Sequence, residues 1–136
     1  MIQLAKGPFE VTLARQKADN PQAVASGHGR LSIDKHFQGE LEATSQGEML
    51  SFMTSTKGSA GYVAIEKVAG TLGGRKGTFV LQHSGSMNRG GQQLSVTVVA
   101  DSGTDELTGL SGTMKIIIAP DGKHSYEMEY TFAGTD

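Results

Sequence analysis

The stretch TMKIIIAPDGKHSYEMEYTF, residues 113–132, contains two runs in which every second residue is apolar. The first run carries Met114, Ile116 and Ile118, and the second carries Tyr126, Met128, Tyr130 and Phe132. Alternation with a period of two predicts β-strands that each bury one face. Pro120-Asp121-Gly122 lies between the runs and favours a tight turn, because proline presets φ and glycine accepts a positive φ. The stretch therefore predicts an antiparallel hairpin.

Six more segments show the same alternation, which brings the prediction to eight strands. These segments lie at residues 9–13, 31–37, 41–52, 62–72, 79–83 and 94–98. The turn-prone Ser45-Gln46-Gly47 predicts an interruption in the third strand, and the fourth, 62–72, is apolar on both faces, so we expect it to be covered on both. The segment that comes closest to a helical pattern is Ala14 to Ala25, but Asn20-Pro21 breaks it. Residues 16–29 are therefore predicted to form a loop. No helix longer than about two turns is expected.

The glycine content supports many short strands joined by tight turns. The 136 residues include 19 glycines and three prolines, and the pattern Leu-x-Gly-x-x-Gly-Thr precedes alternating apolar residues at both 72–81 and 107–116. Strands without a covering helix hide their inner face by closing the sheet, which also removes exposed edges. We therefore predict a single all-β domain over residues 1–136, an eight-stranded antiparallel β-barrel, with a two-sheet sandwich as the alternative. The interior of such a barrel is filled by side chains or holds one small ligand.

The composition excludes several classes of function. A net charge of −2 does not favour nucleic acid or an anionic membrane as a partner, and no apolar stretch reaches the roughly 20 residues needed to span a membrane. The absence of cysteine excludes disulfides and thiolate zinc sites, and the four histidines lack the spacing of a metal site. We expect no metal and no other cofactor. The N-terminus lacks the apolar region of a signal peptide, so a cytoplasmic protein is expected.

Five separated blocks carry a family resemblance that covers nearly the whole chain. They are GEMLS at 47–51, KGSAGYVA at 57–64, GTFVLQH at 77–83, VVADSGT at 98–104 and LTGLSG at 107–112. In order and spacing they resemble a bacterial family of uncharacterised proteins classed as a domain of unknown function, although Ala100 stands where that family often has proline. The family is similar in fold to the allene oxide cyclase-like barrels, which include the plant dirigent proteins. The resemblance implies a barrel with a central cavity, often assembled into oligomers, and it implies no activity.

Three ionisable residues, Lys35, Glu66 and His83, share a strand face with apolar residues. If these faces point inward, the charged groups must pair or shift in pKa, and such groups in a cavity are candidates for function. Tyr62 and Tyr126 complete the predicted ligand-binding set, because their rings suit a core and their hydroxyls need polar partners. The alternatives are a structural Lys35–Glu66 ion pair, a Lys35 that reaches the barrel mouth, and a bulge that turns any of the three outward.

Two functions and one purely structural role fit this pattern. We expect the lumen to bind a small apolar or amphipathic ligand; the alternative is a cavity-templated isomerase or cyclase in which Glu66 or His83 transfers protons. A filled lumen would contradict both, whereas an open lumen in which these two residues converge would favour the enzyme. A homo-oligomer, by base rate a dimer, is also expected, because Val63 and Ile65 make the outer face of the fourth strand apolar. The alternative is that residues 16–29 cover them.

Overall fold

Residues 1–17 and 19–133, which the computed structural model describes, form eight β-strands, one short helix and one 3₁₀ turn. The strands are β1 (Gln3–Arg15), β2 (His28–Phe37), β3 (Leu41–Met53), β4 (Ala60–Leu72), β5 (Arg75–Asn88), β6 (Gly91–Val98), β7 (Leu110–Ile118) and β8 (His124–Phe132). The helix α1 covers Pro21–Ser26, and the 3₁₀ turn covers Asp105–Leu107.

The strands close into a barrel in sequence order, and each strand is antiparallel to its neighbours. The ladder between β1 and β8 runs from Gln3↔Tyr130 to Phe9↔His124 and closes the sheet. The fold is therefore the eight-stranded antiparallel barrel that the alternation predicts, and the two-sheet sandwich is excluded. Closure directs alternate residues of every strand into a common lumen.

The prediction that residues 16–29 form only a loop is wrong, because Pro21–Ser26 is helical. Asn20 begins this helix instead of breaking a longer one: its side-chain Oδ1 accepts a hydrogen bond of 3.0 Å from the Gln22 N–H. Pro21 follows at the first helical position, where an N–H would have no partner within the helix. No helix among the described residues is long and apolar enough to cross a membrane, and the cytoplasmic location stays a prediction.

The expected interruption at Ser45-Gln46-Gly47 is also wrong. β3 runs through these residues without a break, because they pair with β2 on one side and with β4 on the other.

The outer face of β4 stays uncovered within one chain: Val63 and Ile65 are 54% and 51% exposed. The alternative in which residues 16–29 cover them is therefore wrong as well.

One end of the barrel is filled. The large buried side chains there include Phe37, Leu41, Leu72, Phe79 and Leu107. The Tyr126 hydroxyl accepts a hydrogen bond of 3.0 Å from the Leu41 N–H and donates one of 2.8 Å to the Gln38 carbonyl. The structure thus places Tyr126 in the packed core, where it fixes the turn between β2 and β3.

The other end of the barrel is open because β6 and β7 diverge. β5 and β6 share eight residue pairs, whereas in the described chain β6 and β7 share Thr97↔Thr113 alone. Beyond that pair, two inward-facing apolar side chains remain in contact with solvent: Leu94 is 46% exposed and Ile118 is 64% exposed. The lumen is therefore packed at one end and accessible at the other.

Candidate functional site

A cavity of about 460 Å³ opens at the end of the barrel where β6 and β7 diverge. Small-molecule sites commonly have volumes of about 300–1,000 Å³. The wall is mostly apolar and includes Phe9, Val11, Ile33, Met49, Leu94 and Ile116. Lys35, Tyr62 and His83 add polar groups to the same wall. An apolar cavity with a few converging polar groups is typical of a ligand site.

Four buried polar side chains meet at the inner end of this cavity: Lys35, Ser45, Glu66 and His83. Glu66 Oε2 accepts a hydrogen bond of 2.9 Å from Lys35 Nζ and one of 2.8 Å from His83 Nε2. Its Oε1 accepts a third, of 3.0 Å, from Ser45 Oγ. The three ionisable residues thus face inward, as their phase predicts, and the structural Lys35–Glu66 ion pair is present too. Their roles in binding or proton transfer stay predictions.

These four side chains, called the floor cluster below, come from four consecutive strands. Lys35 of β2 pairs with Ser45 of β3, and Gly47 of β3 pairs with Glu66 of β4. Gly47 has no side chain, and a Cβ there would overlap with the β4 backbone and with Glu66. This space lets β4 approach closely, so that Glu66 reaches Ser45 and Lys35. Sequence reasoning missed Ser45, although its phase within 41–52 would have placed it on the inner face.

Glu66 is held in its charged form despite its burial. Burial raises the pKa of this carboxyl group, but the hydrogen bond from His83 and the charge and hydrogen bond of Lys35 outweigh that effect and keep the pKa below its ordinary value. Glu66 lies behind Lys35 and His83, which themselves line the cavity. Of the two residues predicted to transfer protons, His83 is therefore the one that borders the cavity.

His83 has one ring nitrogen on Glu66 and the other near the Tyr62 hydroxyl. A carboxylate only accepts hydrogen bonds, so His83 Nε2 carries the hydrogen in the contact with Glu66. His83 Nδ1 lies 3.5 Å from the Tyr62 hydroxyl, which is long for a hydrogen bond. The Tyr62 ring packs against Gly85, where a Cβ would overlap with the ring. Burial and the negative charge of Glu66 raise the pKa of Tyr62, so its hydroxyl keeps its proton.

Lys35 presents hydrogen-bond donors to the cavity. Its Nζ lies 5.2 Å from the centroid of the Phe9 ring and 5.7 Å from that of Phe37, distances at which a ring face attracts a cation. An ammonium group has three N–H donors, and within the described residues one of them is used, by Glu66. Lys35 also lines the cavity.

The sequence matches the family model of DUF3224, a protein family of unknown function, over residues 5–130. The chain belongs to the DUF3224 family. A DUF3224 protein of unknown function from Shewanella oneidensis MR-1, whose crystal structure was determined at 1.84 Å resolution, is similar to it, with 50% sequence identity and a TM-score of 0.91. The match covers 99% of this chain and 100% of that one. No curated protein matches the sequence.

This DUF3224 barrel carries opposite charges at its two ends. The connections and strand ends around the open mouth contain the basic residues Arg15, Lys17, Lys57, Arg89 and Lys123 and the acidic residues Asp19 and Asp121. Those around the filled end contain the acidic residues Glu40, Asp101, Asp105 and Glu106 and the basic residues Arg75 and Lys76. The mouth is therefore the positive end. Among the described residues, no three side chains form a group that could hold a metal ion.

Proposed function

We propose that the barrel binds one small amphipathic molecule in its lumen, with the apolar body in the mouth and the polar head on Lys35, Tyr62 and His83. One observation carries the proposal: an apolar cavity of about 460 Å³ ends on a cluster of hydrogen-bonding groups. The exposed apolar side chains inside the mouth support it, because a bound apolar body would remove Leu94 and Ile118 from water.

The groups at the inner end of the cavity favour a hydrogen-bond acceptor as the head. Lys35 has N–H donors and Tyr62 has an O–H donor. Glu66 already balances the charge of Lys35, so a doubly charged head would meet repulsion from Glu66. A head with a single negative charge, such as a carboxylate or a sulfonate, fits better. The basic residues around the mouth would attract such a molecule.

Fluorescence titration with anilinonaphthalene sulfonate, an apolar fluorophore with one anionic group, tests the proposal. We expect saturable binding at one site per chain, and displacement by octanoate at a lower concentration than by octanol or octylamine. The double variant Lys35→Met/Glu66→Gln removes both charges of the ion pair together, so neither is left buried alone. It should weaken octanoate binding by roughly tenfold, the loss of one modest charged hydrogen bond, and leave octanol binding nearly unchanged. Lys67→Met, on the outer wall, is the matched control.

Two results would contradict the proposal in different ways. If neither the fluorophore nor any octyl compound binds saturably, the lumen is not a ligand site. If all three octyl compounds bind equally well to the parent protein and to the double variant, the lumen takes apolar bodies but the floor cluster takes no part in recognition.

A second candidate function is proton transfer by His83, which the open lumen and the Glu66–His83 contact of 2.8 Å favour. A carboxylate that holds one ring nitrogen of histidine orients the other nitrogen as a base. His83 Nδ1 would take a proton from the carbon next to a ligand carbonyl, and Lys35 would stabilise the negative charge that develops on the carbonyl oxygen. The protonated His83 would then return the proton to the same carbon or to a conjugated one, which isomerises the ligand without a cofactor.

Hydrogen exchange between methyl hexyl ketone and heavy water, followed by NMR, tests this second candidate. We expect exchange above the buffer rate that falls roughly a hundredfold in His83→Gln, the lower end of a general-base contribution. His36→Gln is the matched control, because His36 lies on the outer wall beside Glu42. Exchange at the buffer rate, or equal rates for the parent and His83→Gln, would contradict it.

A further inference from the structure

The first five residues of β6 form an open sheet edge within an otherwise closed wall. β6 pairs with β5 over its full length but, within the described residues, with β7 only at Thr97↔Thr113. Residues 91–95 therefore direct one row of backbone N–H and C=O groups into the gap instead of into a ladder. Residues 91–95 are also exposed. Five residues span about 17 Å, the length of an ordinary strand.

This edge lacks the features that normally keep a sheet edge from pairing with another chain. The sequence of β6, GQQLSVTV, contains no charged residue and no proline. Charged side chains, prolines and bulges are the usual protection of an edge. The strand on the opposite side of the gap, β7, does have such protection: it carries Lys115, and Pro120 follows shortly after its end. The unprotected edge is therefore that of β6.

We propose that two copies of this chain join along β6, antiparallel about a twofold axis near Leu94, and that each copy completes the lumen wall of the other. This axis pairs Gln93 with Ser95 of the second copy and Leu94 with its own counterpart, and it leaves Thr97 in its pair with Thr113 of β7. An isologous contact of this kind is what twofold symmetry produces. Because β6 carries no charge, it meets no like-charge repulsion when it faces its own copy.

The second copy would complete the candidate ligand site. Residues directly opposite each other in an antiparallel pair project to the same face of the sheet. The leucine at position 94 of both copies would then lie on the inner face, and the second one would cover the gap beside Ile118. This arrangement buries side chains that a single chain leaves 46% and 64% exposed. The pairing does not depend on which molecule the lumen binds.

The exposed apolar patch of Leu50, Val63 and Ile65 on the outer wall is the competing surface for a second copy. The backbones of β3 and β4 under this patch are paired on both sides with neighbouring strands. Within the described part of the chain, the backbone of residues 91–95 is not paired on the gap side, and the apolar side chain of Leu94 is 46% exposed there. The β6 edge therefore offers a partner hydrogen bonds as well as apolar contact, and the outer wall offers apolar contact alone.

Disulfide cross-linking tests the proposal, because the chain has no cysteine of its own. In Leu94→Cys the two introduced side chains face each other with Cβ atoms about 5 Å apart, close to disulfide reach. We expect mild oxidation to link Leu94→Cys into dimers several-fold faster than the control Ser86→Cys, which lies one strand inside the edge. Light scattering of the unmodified protein should give a mass near twice the 14.3 kDa of one chain.

Three results would overturn the proposal. Faster cross-linking of Val63→Cys than of Leu94→Cys would place the contact on the outer wall. Equal rates for Leu94→Cys and Ser86→Cys, with a single-chain mass at high concentration, would exclude pairing along β6. The third test uses like charges: Gln93→Lys/Ser95→Lys should return the protein to single chains, whereas Ser84→Lys/Ser86→Lys on β5 should leave it dimeric. A dimer that survives the β6 substitutions would contradict the pairing.

Discussion

Glu66→Gln removes one charge and almost no volume from the floor cluster, and we expect it to destabilise the fold strongly. Glu66 is fully buried and accepts hydrogen bonds from Lys35, Ser45 and His83. In the variant, the Lys35 ammonium keeps its charge but loses its counter-ion. The new amide group also brings N–H donors to a place where the three neighbours need an acceptor.

The size of the effect follows from the burial of both partners. The side chains of Lys35 and Glu66 are 6% and 0% exposed, so water does little to screen the charge that is left behind. Removal of one member of a buried ion pair costs about 3–5 kcal/mol. The amide oxygen can still accept one of the hydrogen bonds, so we expect the free energy of unfolding to fall by about 3 kcal/mol near neutral pH. Domains of this kind are stable by about 5–15 kcal/mol in total.

Urea unfolding followed by circular dichroism measures this change, with Glu42→Gln as the matched control. The Glu42 carboxylate lies 3.2 Å from His36 Nε2 on the exposed outer wall, so its loss should cost less than about 1 kcal/mol. Lys35→Met/Glu66→Gln restores the charge balance and should be more stable than Glu66→Gln alone. A loss below about 1 kcal/mol for Glu66→Gln would refute the reasoning. A double variant less stable than Glu66→Gln would refute it as well.

Three more predictions concern the same core and cavity. Because the pKa of Glu66 is held below its ordinary value, its stabilising effect is complete above about pH 4.3 and is lost as the pH falls through the lower folded value. The difference in free energy of unfolding between the parent and Glu66→Gln should therefore become smaller as the pH falls below about 4.3. A difference that stays constant with pH would contradict this. Tyr126→Phe leaves the Leu41 N–H without its hydroxyl partner and should cost about 1–3 kcal/mol in urea unfolding, whereas no cost would show that the turn does not depend on it. Gly85→Ala puts a Cβ against the Tyr62 ring and should cost about 1–3 kcal/mol and weaken binding of anilinonaphthalene sulfonate; unchanged binding would exclude Tyr62 from the site.

The barrel and the inward direction of the ionisable residues could be predicted because side-chain direction along a strand repeats every two residues. Once Phe79 and Leu81 face the core, His83 must face it too, and the structure confirms this direction. The same reasoning applies to Lys35 and Glu66. Their convergence on one carboxylate could not be predicted, because it depends on the register between strands, which a single strand does not encode.

Local composition was a poor guide where pairing or capping decides the structure. Ser45-Gln46-Gly47 has the composition of a turn, but ladders on both sides keep it extended. Asn20-Pro21 looks like a helix break, yet the same two residues suit the start of a helix. The gap between β6 and β7 leaves no trace in the alternation, because alternation fixes the face of each residue and not the distance between neighbouring strands.

The central claim is that the lumen holds an amphipathic molecule with its head on the floor cluster and its apolar body in the mouth. Crystals of the protein grown with terminally brominated octanoate test this most directly, because anomalous scattering locates the bromine. The account predicts one bromine per chain near Leu94 and Ile118, with the carboxylate within hydrogen-bond distance of Lys35 Nζ. Bromine on the outer wall beside Val63, with no octanoate in the lumen, would contradict it.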